Sequence, residues 1–339
     1  MKCWATRCNS SRSIFFALLV AVSQTQAGDL PLGSHQSGTQ FSPLNQINKT
    51  NVENLEVAWE YHTGELRPEE FSGLMAFEDH PTLVDGNLII CSTKRKVIAL
   101  DPSTGEEKWV FDPQDDKASG TQKCRGIATW VDPQASPKSL CKSRILLGTN
   151  DYRLIAIDVR TGQYCKAFGN NGVVEMPPSK PLLFLGEVGA GSNPAVVNGV
   201  VVVGSAVADL QRIDAPSGRV LAFDARSGEQ LWAFDPVPRR QDDPAMASWG
   251  KGTKTIGQGN VWSSMAVDQA LDLVYLPTTS VSDDYYGGER PGNNEYSTSV
   301  VALSGATGEV VWHQQLVHHN VWDYDIPARP VLIDYPVNG

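Results

Sequence analysis

One short pattern recurs four times along the chain and limits the folds open to it. Its first copy is Ala99-Leu100-Asp101-Pro102-Ser103-Thr104-Gly105, with Trp109 four residues after the glycine. Copies follow at Asp158 to Gly162, Asp224 to Gly228 and Ser304 to Gly308, ending four residues on at Lys166, Trp232 and Trp312. The aspartate can cap a tight reversal with its side chain, and the glycine tolerates positive φ, so each copy reads as strand, turn, strand. Starting at positions 101, 158, 224 and 304, the copies are 57, 66 and 80 residues apart, a fixed unit with variable loops. Self-similarity at such a period marks a repeat architecture.

Around each copy the apolar segments fall into four short strands. The first unit is predicted over 81–84, 87–91, 97–100 and 108–111, with Asp85-Gly86 as a hairpin turn. The second takes 127–131, 144–147, 154–157 and 164–168. The third takes 195–197, 200–203, 220–223 and 230–234, turning at Asn198-Gly199. The fourth takes 264–267, 273–276, 299–303 and 310–313, and a fifth opens over 327–333. Thirty glycines and 21 prolines suit so turn-rich a chain. Successive four-stranded antiparallel sheets at this spacing make an all-β fold, a β-propeller of about four blades plus the start of a fifth. Residues 55–61 alternate in polarity and read as one further strand, the outer strand of a last blade. A sandwich of the same hairpins would leave the repeated Thr-Gly-x-x-x-Trp unexplained. Trp59, Trp109, Trp232 and Trp312 are expected to pack between blades, against the Thr-Gly of a turn.

A formal charge of -10 over 339 residues excludes a nucleic-acid-binding reading, since no basic cluster offsets it. Lys2, Arg7 and Arg12 precede an apolar run at 14–22, and Thr25-Gln26-Ala27 offers a cleavage site, so residues 1–27 read as a signal peptide and 28–339 as the propeller domain. No other stretch is long and apolar enough to span a membrane. Export places Cys91, Cys124, Cys141 and Cys165 in an oxidising compartment, the periplasm. Disulfides are permitted there, but the pairing stays open.

Several motifs resemble the quinoprotein dehydrogenases, the eight-bladed propellers that bind pyrroloquinoline quinone (PQQ). They are the repeat itself, Phe41-Ser42-Pro43-Leu44-Asn45-Gln46-Ile47, Cys124-Arg125-Gly126, Thr149-Asn150-Asp151, and His318-His319-Asn320-Val321-Trp322-Asp323-Tyr324-Asp325. The last is most similar to the branch of membrane-bound glucose and quinate dehydrogenases. The resemblance spans nearly all of 38–339 and reaches the first half of such a protein. The chain by itself is therefore expected to be inactive, with the family's second cationic cofactor residue lying in a blade beyond it.

What the resemblance implies is oxidation of a sugar, polyol or other alcohol by hydride transfer to PQQ, with calcium as a second cofactor. The electrons would go to ubiquinone or a cytochrome c in the respiratory chain. Removing a hydroxyl proton as hydride leaves carbon calls for a positioned carboxylate, and Asp323 matches the family's general base and metal neighbour. Asp209 falls at its acidic calcium ligand, a hard-cation donor. Trp262 matches the tryptophan on whose face PQQ lies. Arg125 matches a guanidinium suited to carboxylates, and Glu78 a further cofactor contact. The chain departs from the pattern at Leu210, Ser280 and Lys94, where relatives carry asparagine, asparagine and histidine. His318 and His319 read as residues behind the site or in a strand. A non-catalytic scaffold propeller is the competing reading. The lipidated cysteine of such scaffolds is missing here, since Cys3 and Cys8 precede the apolar run and Gly28 follows Ala27.

Overall fold

The computed structural model describes residues 37–40, 42, 44–65, 75–115 and 122–335. The signal-peptide segment, and Phe41 and Pro43 of the N-terminal motif, lie outside the described residues. Four antiparallel four-stranded sheets follow one another as blades. Blade 1 is Thr82–Val84, Asn87–Cys91, Val97–Leu100 and Glu107–Phe111, and blade 2 is Ala128–Val131, Ser143–Gly148, Arg153–Asp158 and Val173–Glu175. Blade 3 is Ala195–Val197, Val200–Val203, Val220–Asp224 and Gln230–Phe234. Blade 4 is Ala266–Asp268, Leu273–Pro277, Ser299–Ser304 and Val310–Gln315. The inner strands are buried on both faces because neighbouring blades cover them. Ile89 and Val97 of blade 1 meet Ile145 and Ile155 of blade 2, and Val202 and Ala222 of blade 3 meet Val274 and Val301 of blade 4.

The repeated turn folds as its chemistry dictates. Asp101 Oδ1 accepts from the backbone of Ser103 and Thr104, Asp158 Oδ1 from Arg160 and Thr161, and Asp224 Oδ1 from Arg226 and Ser227. In the fourth copy Ser304 Oγ accepts from Thr307 instead. The glycine is required on two counts, φ and space. Gly105 has φ +73°, and a Cβ on it would lie 2.5 Å from the Trp59 ring. Gly162 meets Trp109 and Gly308 meets Trp232 in the same way, so each tryptophan plugs the turn of the blade that follows it. Trp232 also donates its indole N–H to Gly305 O at 2.8 Å. Trp312 of blade 4 is 43% exposed, with its ring beside Tyr275.

Three predicted strands differ. Residues 55–61 form no strand, because no neighbouring backbone among the described residues offers them a ladder. Trp59 nonetheless docks on blade 1, its indole donating to Pro102 O. Residues 327–333 likewise form no strand, and Leu332 N–H donates to Ser37 O. In blade 2 the outer strand is Val173–Glu175 rather than 164–168. Cys165 begins the pairing with Ala156, then a turn closed by Gly172 N–H to Phe168 O lifts the chain out before it rejoins at Val173. Lys166 stands where the other copies have tryptophan, so the Gly228 turn is filled by Gly169 and Val174 from this excursion. Cys141–Cys165 ties the excursion down, and Cys91–Cys124 ties blade 1 to the segment entering blade 2.

Two short pairings outside the blades direct the site. Met75–Phe77 runs parallel to Gln122–Cys124, which sets Glu78 beside Arg125. Val188–Gly189 pairs with Ala206–Val207 and carries the chain on to Asp209.

Candidate active site

A cavity of about 440 Å³ opens where loops of all four blades converge. One wall is cationic. Arg95, 4% exposed, donates to Gly148 O at 2.6 Å and Asn150 Oδ1 at 2.7 Å and pairs with Asp115 at 3.3 Å. Burial pushes its guanidinium down to about 10, against the pull of Asp115. The loop bearing it is held from behind by Glu65, which accepts from Ser92 Oγ, Thr93 Oγ1 and the Lys94 backbone. Arg125 pairs with Glu78 at 3.0 Å, donates to Gly191 O at 2.9 Å, and stands 4.6 Å over the Trp262 ring. Lys123 completes this wall, and both it and Arg125 are pushed down by burial.

Another wall is anionic and is organised on Ser280. Its backbone N–H donates to Asp325 Oδ1 at 3.0 Å, and its hydroxyl lies 2.8 Å from Asp323 Oδ1. Asp325 Oδ2 accepts the Trp262 indole N–H at 2.6 Å. Asp209 is held by Gln258 Nε2 at 3.3 Å. Burial, then the charges of Asp323 and Asp325, push Asp209 up to about 6. Asp284, 2% exposed, is pushed up to about 7, first by burial and then by Asp209, Asp323 and Asp325. The carboxylates repel one another, which is the electrostatic condition a bound cation relieves.

Trp262, Arg125 and Asp209 all line this cavity, with Glu78 paired to Arg125 at its edge. Asp323 is set apart from them and is linked to the cavity wall through Ser280 and Asp325. His318 and His319 sit in a turn, His319 Nδ1 being 2.8 Å from Gly292 O. Sequence reasoning missed Asp325, Asp284, Asn260, Arg95 and Lys123. The spacing Asp323-x-Asp325 and the basic run Lys94-Arg95-Lys96 were signals for two of them.

A site for PQQ and a divalent cation can be tested on these residues. Asn260 Oδ1 is buried in the cavity lining without a hydrogen-bond partner, an oxygen donor left over. With Asp209 it supplies the hard-oxygen chemistry calcium prefers, and the cationic wall suits the carboxylates of an anionic cofactor. Among the described residues no three carboxylate, imidazole or thiolate groups converge to hold an ion unaided. The residues fit a cation shared between protein and an anionic cofactor.

Residues 31–339 match the family described as the β-propeller domain of PQQ glucose/ethanol/alcohol dehydrogenases. The chain is 38% identical over 331 residues to the quinoprotein glucose dehydrogenase of Escherichia coli (strain K12), covering 94% of this chain and 41% of that protein. It is 39% identical over 307 residues to the glycerol dehydrogenase large subunit of Gluconobacter oxydans (strain 621H), covering 90% and 41%. The chain thus spans about two-fifths of the length of these relatives. Among solved structures, quinohemoprotein alcohol dehydrogenase from Comamonas testosteroni superposes with a TM-score of 0.70 at 28% identity, covering 88% of this chain and 42% of that one. The chain therefore belongs to the PQQ-dependent glucose/ethanol/alcohol dehydrogenase β-propeller family.

Proposed function

We propose that the cavity takes PQQ together with calcium and serves the oxidation of a sugar, polyol or other alcohol, with glucose- and quinate-type substrates first in line. The observation that carries this reading is the convergence of Arg95, Lys123 and Arg125 with Asp209, Asp325 and Trp262 on the lining of a single cavity. When bound, PQQ supplies the oxidising power of an ortho-quinone and calcium a Lewis acid beside it. Arg95, Lys123 and Arg125 hold carboxylates, with Glu78 fixing the Arg125 fork. Asp209 and Asn260 Oδ1 would supply oxygens to the cation. The Trp262 face supports a flat ring, and its indole N–H anchors Asp325.

Asp323 accepts the substrate hydroxyl proton at a carboxylate oxygen. Ser280 Oγ orients that carboxylate at Oδ1. The residue preceding Asp323, Trp322, is 69% exposed and offers an apolar surface for the carbon skeleton of the substrate. Export to the periplasm and delivery of electrons to ubiquinone or a cytochrome c complete the proposal. The site chemistry favours it over a scaffold role, for which these converging groups have no use.

The test is titration of the chain with PQQ at varied calcium, followed by quenching of tryptophan fluorescence, with Trp262→Phe as control. Saturable, calcium-dependent quenching that Trp262→Phe reduces is expected. Calcium-independent or absent quenching overturns the reading. Where dye reduction by glucose, quinate or glycerol is measurable, Asp323→Asn should lower turnover on the order of 10²–10⁴-fold while PQQ still binds.

A further inference from the structure

We propose that Arg290 and Asn320 are positioning residues that set where Asp323 and Asp325 stand, an inference that rests on the reading of Asp323 as proton acceptor. Residues 320–326 form a strap after the last strand of blade 4, and it carries both carboxylates without any ladder pairing. Its far end is fixed where Ser263 Oγ donates to Ile326 O at 2.9 Å. Its near end is organised by a single side chain. Asn320, 2% exposed, accepts at Oδ1 from Trp322 N at 3.0 Å and from Tyr324 N at 3.4 Å. Its Nδ2 donates to Tyr324 O at 3.1 Å and to Thr298 Oγ1 of blade 4 at 3.0 Å. The strap is therefore wound around one amide, and that winding puts Asp323 at φ +55°, a left-handed conformation that a free chain seldom holds.

Arg290 anchors Asn320 in turn. It is wholly buried, and its guanidinium spans three partners on two loops. Nη1 donates to Asn294 Oδ1 at 2.9 Å, and Nη2 donates to Asp283 O at 3.0 Å and to Asn320 O. One planar fork thus fixes the loop bearing Asp284 against the strap bearing Asp323. A buried charge on three acceptors is a costly device unless the geometry it imposes matters. Asp284 and Asp283 are the charges that act on it. Neither residue lines the cavity, so both act through the strap.

The Trp262–Asp325 hydrogen bond reads strap position without any cofactor or substrate. In the full chain labelled with ¹⁵N-tryptophan, Trp262→Phe identifies the Trp262 indole N–H peak. Asn320→Ala and Arg290→Met should each move that peak toward the position of a water-exposed indole, in protein whose cooperative melting shows it folded. Asn320→Asp keeps both acceptor bonds to Trp322 and Tyr324 but loses the donor bond to Tyr324 O, and should move the peak less than Asn320→Ala does. Where the loaded protein turns over, the two disruptive variants should lose on the order of 10²-fold in kcat with KM changed far less. A merely structural role would lower the melting temperature and leave the peak of the folded protein unmoved, and that result overturns the proposal. Should Asn320→Ala or Arg290→Met fail to fold, Thr298→Val and Arg290→Lys remove one anchor each, and an unmoved peak in both is equally fatal. The peak says nothing about proton transfer, so full turnover in Asp323→Asn would overturn the base assignment while leaving the positioning result intact.

Discussion

The Trp262 indole N–H donates to the Asp325 carboxylate at 2.6 Å across 63 residues of chain. This bond joins the segment entering blade 4 to the strap leaving it, so the floor of the cavity and its anionic wall are one unit. Because Arg125 lies over the same ring, that unit is also in contact with the cationic wall.

Asp209→Asn should weaken calcium-dependent uptake of PQQ with little loss of stability. Asp209 is pushed up to about 6 by burial and by Asp323 and Asp325. A cation needs the ionised carboxylate, so affinity for calcium should rise as pH increases through about 6 and then level off. The variant should lack that rise. Calorimetric titration of calcium in the presence of PQQ at about pH 5 and about pH 7.5 checks this, and identical pH profiles in parent and variant count against Asp209 as a ligand.

Arg125→Lys keeps the charge but loses the planar fork that reaches Glu78 and Gly191 O and covers Trp262. PQQ uptake should weaken by about tenfold, the scale of one well-placed charge-assisted bond. Fluorescence titration measures it. Tighter binding in the variant would mean that Arg125 shields the Trp262 face rather than serving the ligand.

Asp79 is buried, with Oδ1 unpartnered and Oδ2 accepting the Cys91 backbone N–H. Burial, opposed by backbone hydrogen bonds, pushes its carboxyl up to about 7. A folded-state value above the unfolded one means the folded chain holds the extra proton between about pH 4 and about pH 7. Its contribution to stability is therefore complete below that window and is lost as pH rises through about 7. Asp79→Asn should remove this slope, matching the parent in acid and exceeding it by on the order of 2 kcal/mol above pH 8. Urea unfolding across pH tests it. Parallel curves for the two proteins would show that Asp79 titrates normally.

The repeat alone determined the four blades, their turns and the docking of Trp59, Trp109 and Trp232. The blades and their turns depend on hydrogen bonds within five residues and on alternation within a strand, both written locally, whereas each tryptophan reaches a glycine more than forty residues along the chain. The resemblance of its motifs likewise put Arg125, Trp262, Glu78 and Asp209 in one place, and the structure brings Arg125, Trp262 and Asp209 to one cavity, with Glu78 paired to Arg125 at its rim. Only the tertiary structure decided that Cys91 pairs with Cys124 and Cys141 with Cys165, that Val173–Glu175 closes blade 2, and that Ser280 gathers Asp323 and Asp325. Each of those outcomes joins residues 18 to 45 positions apart through loops with no periodic signal. Their partners are chosen by which backbone and side-chain groups the packed blades leave buried and in need of a hydrogen bond or a countercharge. That need arises only after the blades have assembled.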